Sequence, residues 1–182
     1  YGEFKGTWFE DKVGVTKILQ REKADEIAGK IVDGKGVVTS MTSKKNKLLP
    51  PPLYDLTELQ RDGNRYYGMT AQNVLTIAQN LYEKRKLVTY PRTDSRYLSD
   101  DMKDVVKSTL KQISVPPYDK AIQPLLEKGI KFSKRIIDNS KVTDHHAIIP
   151  TNIRPRLEGI SEDEKRIYNL IVKRFIAVFY EP

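Results

Sequence analysis

Apolar residues recur along this chain at helical spacing in several places and alternate in few. From Arg21 to Val32, the residues Ala24, Ile27, Ala28 and Ile31 fall at i, i+3, i+4 and i+7, which predicts one helix with one apolar stripe. Gly34 and Gly36 stop it. Val37 to Thr42 then alternates loosely with β-branched residues, and Phe4 to Glu10 has strand-like content, so the opening reads as strand, helix, strand. Three prolines, Pro50 to Pro52, follow a basic tetrad. They block helix and central strand alike and favour an extended path, which places a domain boundary near Pro50 and makes a rigid entry a better reading than a peptide-recognition motif.

Beyond that point the helical period dominates. Thr57 and Gln60 have the capping-box spacing, opening a helix that Gly68 ends after Tyr67. Thr70 caps the next one, whose stripe is Val74, Leu75, Ala78, Leu81 and Tyr82, running to about Glu83. Two helices joined by a turn of about three residues give a helix-turn-helix outline. Ser99, with Asp100 and Asp101 at the positive end of the dipole, starts a third helix carrying Met102, Val105, Val106 and Leu110, closed by Pro116 and Pro117. A weaker helix, Tyr118 to Lys128, is expected to be interrupted by Pro124, and Lys131 to Asn152 reads as irregular chain with one short strand. Ser161 to Glu164 is a second capping box, followed by Ile167, Leu170, Ile171, Phe175 and Val178 on one stripe.

Composition narrows the function. At 182 residues there is room for one good core, or for one domain and part of a second. No apolar run approaches the roughly 20 residues of a bilayer span, so no membrane helix is expected. The first residues, YGEFKGTWFE, lack the features of a signal peptide and there is no initiator Met, so the chain is expected to be a piece of a longer protein. Zero cysteines exclude disulfides, thiolate metal sites and a cysteine nucleophile. The 32 Lys and Arg against 24 Asp and Glu leave a net charge of +8, a field that favours polyanions such as nucleic acid.

The candidate chemistry lies in TYPRTDSRYL, Thr89 to Leu98. Pro91 holds Tyr90 in extended geometry, so Arg92, two residues on, points to the same side. Phenols ionise near about pH 10, and a neighbouring cation favours the phenolate. Arginine also grips a phosphate bidentately and stabilises charge building on its oxygens, so the pair suits tyrosine attack on a phosphodiester. Thr93, Asp94, Ser95 and Arg96 add groups that can fix this loop or hold a nucleic-acid backbone. Both histidines stand in Asp144-His145-His146; adjacent residues of extended chain point opposite ways and two histidines do not complete a zinc shell, so a role beside a phosphate is the better reading. No G-x-x-x-x-G-K-[ST] loop and no D-x-D pair occurs, so nucleotide hydrolysis has no signal and any Mg²⁺ has to be held elsewhere.

LYEKRKLVTYPRTDSRYLS resembles the active-site signature of the type IA DNA topoisomerases, and within that family its topoisomerase III branch. PPPLYDLTELQRDGNRYYGMTAQNVLTIAQNLYE upstream, DHHAIIPT downstream and IYNLIVKRFIAVF near the end match the family in the same order, from about Ala24 onward. The resemblance implies that Tyr90 attacks a single-stranded DNA phosphate, giving a 5′-phosphotyrosyl link and a free 3′-hydroxyl that later reseals the strand without ATP. It implies that Arg92 positions the scissile phosphate and that His145 assists, His146 having no assigned role; Gln79, Thr89, Thr93, Asp94, Ser95 and Arg96 line or support the DNA groove.

The implied fold is α+β and mainly helical: a winged-helix domain like that of the catabolite activator protein over residues 50–175, and part of a β-rich arch or hinge over 1–49 and 176–182. The acidic Toprim domain that holds Mg²⁺ is missing, so the fragment is expected to be inactive alone. Single-stranded DNA, the rest of the polypeptide and a helicase are the implied partners, in the bacterial cytoplasm at the nucleoid. The main rival is a non-catalytic helix-turn-helix module reading duplex DNA, although the second helix offers few groups suited to a groove. A tyrosine recombinase or replication-initiation nuclease is disfavoured by motif order and by contiguous histidines.

Overall fold

In the computed structural model, residues 5–10, 16–32 and 34–181 are described, and they fall into two compact units divided between Asn46 and Lys47.

Among its described residues the first unit has one helix, α1 (Arg21–Ile31). Its limits follow the stripe, but no residue of it is buried. Ion pairs Lys30–Glu26 and Arg21–Asp25 decorate it at i,i+4, and Lys23 reaches Glu10 at 2.7 Å with its ammonium over the Trp8 ring. Neither expected strand is present over residues 5–10 or 37–42; Phe4 lies outside the described residues. An alternating segment becomes a strand only beside a partner that takes its backbone hydrogen bonds. No described segment of this unit offers one, and Val37, Val38 and Met41 stay more than three-quarters exposed.

The second unit is helical. It comprises α2 (Leu56–Tyr67), α3 (Ala71–Glu83), α4 (Met102–Gln112), α5 (Asp119–Lys128) and α6 (Glu162–Ala177), with a short 3₁₀ turn at Asn139–Lys141. α2, α3 and α6 pack together, and α4 packs on α5. Leu59, Val74, Ala78, Leu81, Ile167, Ile171 and Phe175 are all fully buried between the first three. Extended pairing is reduced to three isolated bridges, Tyr54 with Ile148, Val88 with Pro150, and Leu98 with Ile137, so the chain is mainly helical and the β content expected of it does not appear among the described residues.

Local chemistry explains the helix ends. Asp55, not Thr57, caps α2: its Oδ1 accepts from Glu58 N at 2.7 Å, and Thr57 lies inside the helix. Asp55 and Glu58 share the spacing that Thr57 and Gln60 have, and the stronger cap, one residue before Leu56, prevails. Gly68 closes α2 in the left-handed region at φ 66°, where a Cβ is disfavoured, and Thr70 caps α3 through Asn73 N. α4 starts at Met102 after Asp101, with Ser99 contributing only its backbone carbonyl. Pro124 sits inside α5 rather than interrupting it, because Ile122 and Leu125 on either side are buried and hold the helix together.

The helices come close at Gly63 of α2, where an added Cβ would lie 2.5 Å from Val74 Cγ2 and 3.4 Å from Ile167 Cδ1. Alanine there gains about 1 kcal/mol of helix propensity but meets a β-branched side chain with little rotamer freedom. Overpacking costs about 1–3 kcal/mol, so Gly63→Ala is expected to lower stability by about 1 kcal/mol, and Val74→Ala added to it should remove the penalty. Urea melts of the four proteins in the cycle decide this; a Gly63→Ala protein as stable as the parent would refute the close approach.

Ser161 and Glu164 form a reciprocal capping box on α6, Glu164 N donating to Ser161 Oγ at 3.1 Å and Ser161 N to Glu164 Oε2 at 2.8 Å. Burial pushes the Glu164 carboxyl up, but the Ser161 N–H and the Arg85 guanidinium at 3.3 Å outweigh it and hold the group below the ordinary value. A carboxyl lowered by folding adds stability above its unfolded value of about 4.3, and that contribution fades as pH falls through the lower folded value. The loss of stability between pH 7 and about 3.5 is therefore expected to be smaller in Glu164→Gln than in the parent, as read by urea midpoints at both pH values.

Candidate functional site

The segment after α3 runs extended beside the chain that follows the histidines. Thr89 N donates to Ile149 O at 2.9 Å, Thr151 N to Leu87 O at 3.0 Å, and the Thr89 hydroxyl donates to Ala147 O while accepting from Ile149 N. This short ladder brings Tyr90 against His145: their ring centroids lie 4.3 Å apart, tilted by 42°. Tyr82 of α3 meets Tyr90 from another side, edge to face, at 5.6 Å. A cleft of about 390 Å³ opens at this place, lined by Tyr90, Ser99, Asn139, Thr143, His145 and His146 among others. Tyr90 is half-buried and His145 exposed, so the phenol is held yet reachable.

Arg92 leaves the same segment toward α3. With the Gln79 amide turned so that its oxygen faces the guanidinium, Oε1 accepts from Arg92 Nε and Nη2, both at 3.1 Å. Gln79 and Tyr82 are three residues apart on α3 and therefore share a face. Tyr90 and Arg92 thus dock on neighbouring positions of one rigid helix, which fixes the phenol and the guanidinium on the same side of the segment.

Thr93, Ser95 and Arg96 are occupied in holding the signature in place. Thr93 and Ser95 are buried: Thr93 Oγ1 donates to His145 O at 3.2 Å and accepts from Ser95 N at 3.1 Å, and Ser95 Oγ donates to Lys141 O at 2.9 Å. These bonds pin the histidine-bearing loop to the tyrosine segment from below. Arg96 Nε pairs with Asp55 Oδ2 at 2.6 Å, tying the signature to the cap of α2, and Leu56 N donates to Thr93 O. Asp94 is exposed, and no hydrogen bond joins it to the other candidates among the described residues. The structure therefore gathers Tyr90 and His145 at the cleft, uses Thr89 in the ladder beside them, holds Arg92 on Gln79, Thr93 and Ser95 against the histidine loop and Arg96 on the cap of α2, and leaves Asp94 outside.

The histidine loop has its own internal frame. Asp138 Oδ1 accepts from Ser140 Oγ at 2.6 Å, which holds its carboxyl below the ordinary value, and Asn139 Oδ1 accepts from Asp100 N at 2.8 Å. Lys141 Nζ donates to Tyr97 OH and lies 4.6 Å from that ring's centre. His146 Nδ1 donates to Ala147 O at 2.8 Å. Tyr82 and Asn139 were not legible as site residues: one reads as part of a helical stripe and the other as loop. Among the described residues no three His, Asp or Glu side chains gather as a metal site. No described helix is long and apolar enough to cross a membrane.

A tyrosine and a histidine meet at one cleft of a basic helical unit, and an arginine of the same segment docks on the helix that the tyrosine packs against. The profile of the DNA topoisomerase family matches residues 2–182, and the chain belongs to that family, in its type IA class. Proteins named DNA topoisomerase 3 are similar to it. That of Bacillus licheniformis is 41% identical over 176 residues, covering 97% of this chain and 24% of that protein. That of Bacillus cereus is 42% identical over 178 residues, covering 98% and 24%. A solved structure, full-length topoisomerase I from Thermotoga maritima, superposes with a TM-score of 0.55 at 25% identity, covering 94% of this chain and 27% of that one. The chain spans about a quarter of the length of the curated relatives it matches.

Proposed function

We propose that this region carries the strand-cleaving tyrosine of a type IA DNA topoisomerase. The Tyr90 phenol oxygen bonds to a phosphorus of single-stranded DNA while the bond from that phosphorus to the 3′ oxygen breaks. The phenol loses its proton, the 3′ oxygen gains one, and the strand is left with a 3′-hydroxyl and a 5′-phosphotyrosyl end. The reverse attack by the 3′-hydroxyl reseals the strand. No ATP is consumed, because one phosphate ester is exchanged for another.

The observation that carries this reading is the packing of Tyr90 against His145 at an open cleft, with Arg92 held on α3 next to it. Arg92 stabilises charge on the non-bridging oxygens, and His145 donates to the DNA backbone. Thr89, Thr93, Ser95 and Arg96 support the groove from within; Asp94 reaches the DNA from the exposed side. On this reading residues 50–175 form the winged-helix tyrosine domain, and 1–49 and 176–182 belong to the arch. The Mg²⁺ site, strand passage, the helicase partner and a place at the nucleoid belong to the whole enzyme, and the fragment alone cleaves poorly. A duplex-reading module is less well supported, because Gln79 and Tyr82 of α3 are engaged by Arg92 and Tyr90 rather than free for a groove.

The test is the polarity of the adduct. With the whole enzyme and single-stranded DNA, a label on the 3′ end should travel with the denatured protein, and a label on the 5′ end should be released as free fragment. Label retained from the 5′ end instead would mean a 3′-linked tyrosine and another enzyme class.

A further inference from the structure

The two-chain ladder that ends at Tyr90 has a second end. The chain enters it through Lys84, Arg85 and Lys86 and leaves it toward Arg154 and Arg156, and between them lies a cleft of about 580 Å³. Lys84, Arg85, Arg154 and Arg156 line it against one carboxylate, Glu158. Arg85 is in part engaged by Glu164 at 3.3 Å, while Lys84, Arg154 and Arg156 are exposed.

Lys86 marks the passage between this cleft and the tyrosine. Its backbone is left-handed, φ 57°, a conformation that disfavours any residue with a Cβ. Thr151 Oγ1 holds it there by donating to its carbonyl at 2.6 Å. Its ammonium lies 5.7 Å from the centre of the Tyr82 ring, and Tyr82 in turn meets Tyr90. Glycine would suit that backbone better, and strain retained by a charged residue points to a use for the charge. Four steps of extended chain lead from Lys86 to Tyr90, about 13 Å. Successive phosphates of one strand advance by about 3.4 Å along the axis of B-form DNA and lie further apart in a stretched strand, so the cleft lies within a few nucleotides of a phosphate at Tyr90.

We infer that this cleft grips the sugar–phosphate backbone of the same single strand a few nucleotides from the phosphate attacked by Tyr90. The inference rests on the reading given under Proposed function. Cations without a base-reading element hold backbone alone, so the grip is independent of base sequence. Its role is to keep the strand on the protein while the phosphodiester is open.

The experiment measures the affinity of the whole enzyme for a single-stranded oligonucleotide against salt. Three proteins are compared: the parent, Arg154→Gln/Arg156→Gln, and Lys107→Gln/Lys111→Gln, which removes the same charge from exposed positions of α4. Loss of two phosphate contacts should make the slope of log K against log salt shallower by about 1.4 and weaken binding about tenfold at 0.15 M salt, with the α4 variant unchanged. Lys86→Gly should also bind more weakly while unfolding at the same or a higher urea concentration, a combination that a merely structural role would not produce. Coinciding slopes for the parent and the Arg154/Arg156 variant would overturn the inference, as would a change seen only with duplex DNA. The covalent adduct on Tyr90 is scored separately: its absence from the parent would sink the catalytic reading, and it leaves the interpretation of the slopes untouched.

Discussion

Replacing Tyr90 with phenylalanine in the whole enzyme is expected to abolish the denaturant-stable protein–DNA adduct and to lower cleavage on the order of 10⁶-fold, the scale on which loss of a covalent nucleophile acts. Phenylalanine keeps the ring, and with it the edge-to-face contact to Tyr82 and the tilted packing on His145, so the fold and the cleft remain. Only the phenol oxygen is removed. Affinity for uncleaved single-stranded DNA should stay within a few fold, because the cations that hold the backbone are unchanged. Gel separation of denatured, labelled complexes reads the first quantity and a binding titration the second. Persistence of the adduct in Tyr90→Phe would assign the nucleophile to another residue; loss of binding together with the adduct would mean that the phenol served to hold DNA rather than to attack it.

The largest effect on stability is expected at Asp62. Arg174 of α6 donates from Nη2 to Asp62 Oδ2 at 2.6 Å, and both side chains are more than four-fifths buried. Nη1 of the same guanidinium donates to Pro52 O at 3.1 Å, its centre stands 4.1 Å over the Tyr54 ring, and Tyr54 OH donates to Asp62 as well. Burial, and after it the Asp62 carboxylate, push the Tyr54 phenol well above its ordinary value, which keeps it neutral as a donor. This network joins the proline entry, α2 and α6. Asp62→Ala strands a buried guanidinium and is expected to cost about 3 kcal/mol. Replacing both partners by apolar residues, Asp62→Leu with Arg174→Met, should recover most of that loss, since the uncompensated charge goes too. Urea denaturation of the single and double variants measures it; a cost below about 1 kcal/mol would mean that water reaches the arginine.

The helices were readable to different degrees, and the reasons are local. α3 and α6 combine a side-chain cap with an uninterrupted stripe, and their limits emerge from the sequence almost to the residue. α2 was misplaced at its start because two capping patterns overlap by two residues, and spacing alone does not rank Asp55 against Thr57. In α5 a proline predicts a break, yet burial of its neighbours outweighs the lost hydrogen bond. The strands failed for a different reason: alternation records only that one face is apolar, while a strand exists through a partner elsewhere in the chain.

The candidate site divides in the same way. A tyrosine fixed by proline, an arginine two residues on and a histidine pair are statements about neighbours in sequence, and they suffice to propose tyrosine attack on a phosphodiester. Which groups face the cleft depends on residues distant in sequence. Gln79 receives Arg92, Thr93 reaches across to His145, and Tyr82 packs its ring on Tyr90, all through contacts made when α3 and the chain after the histidines close around one extended segment. The basic cleft behind Lys86 belongs to that second kind, since Lys84 and Arg156 stand 72 positions apart in sequence and only the ladder between them places both on one wall. Local order, from caps to signature, is written in short-range backbone and side-chain chemistry, whereas the site is a product of packing, which joins groups that no spacing along the chain connects.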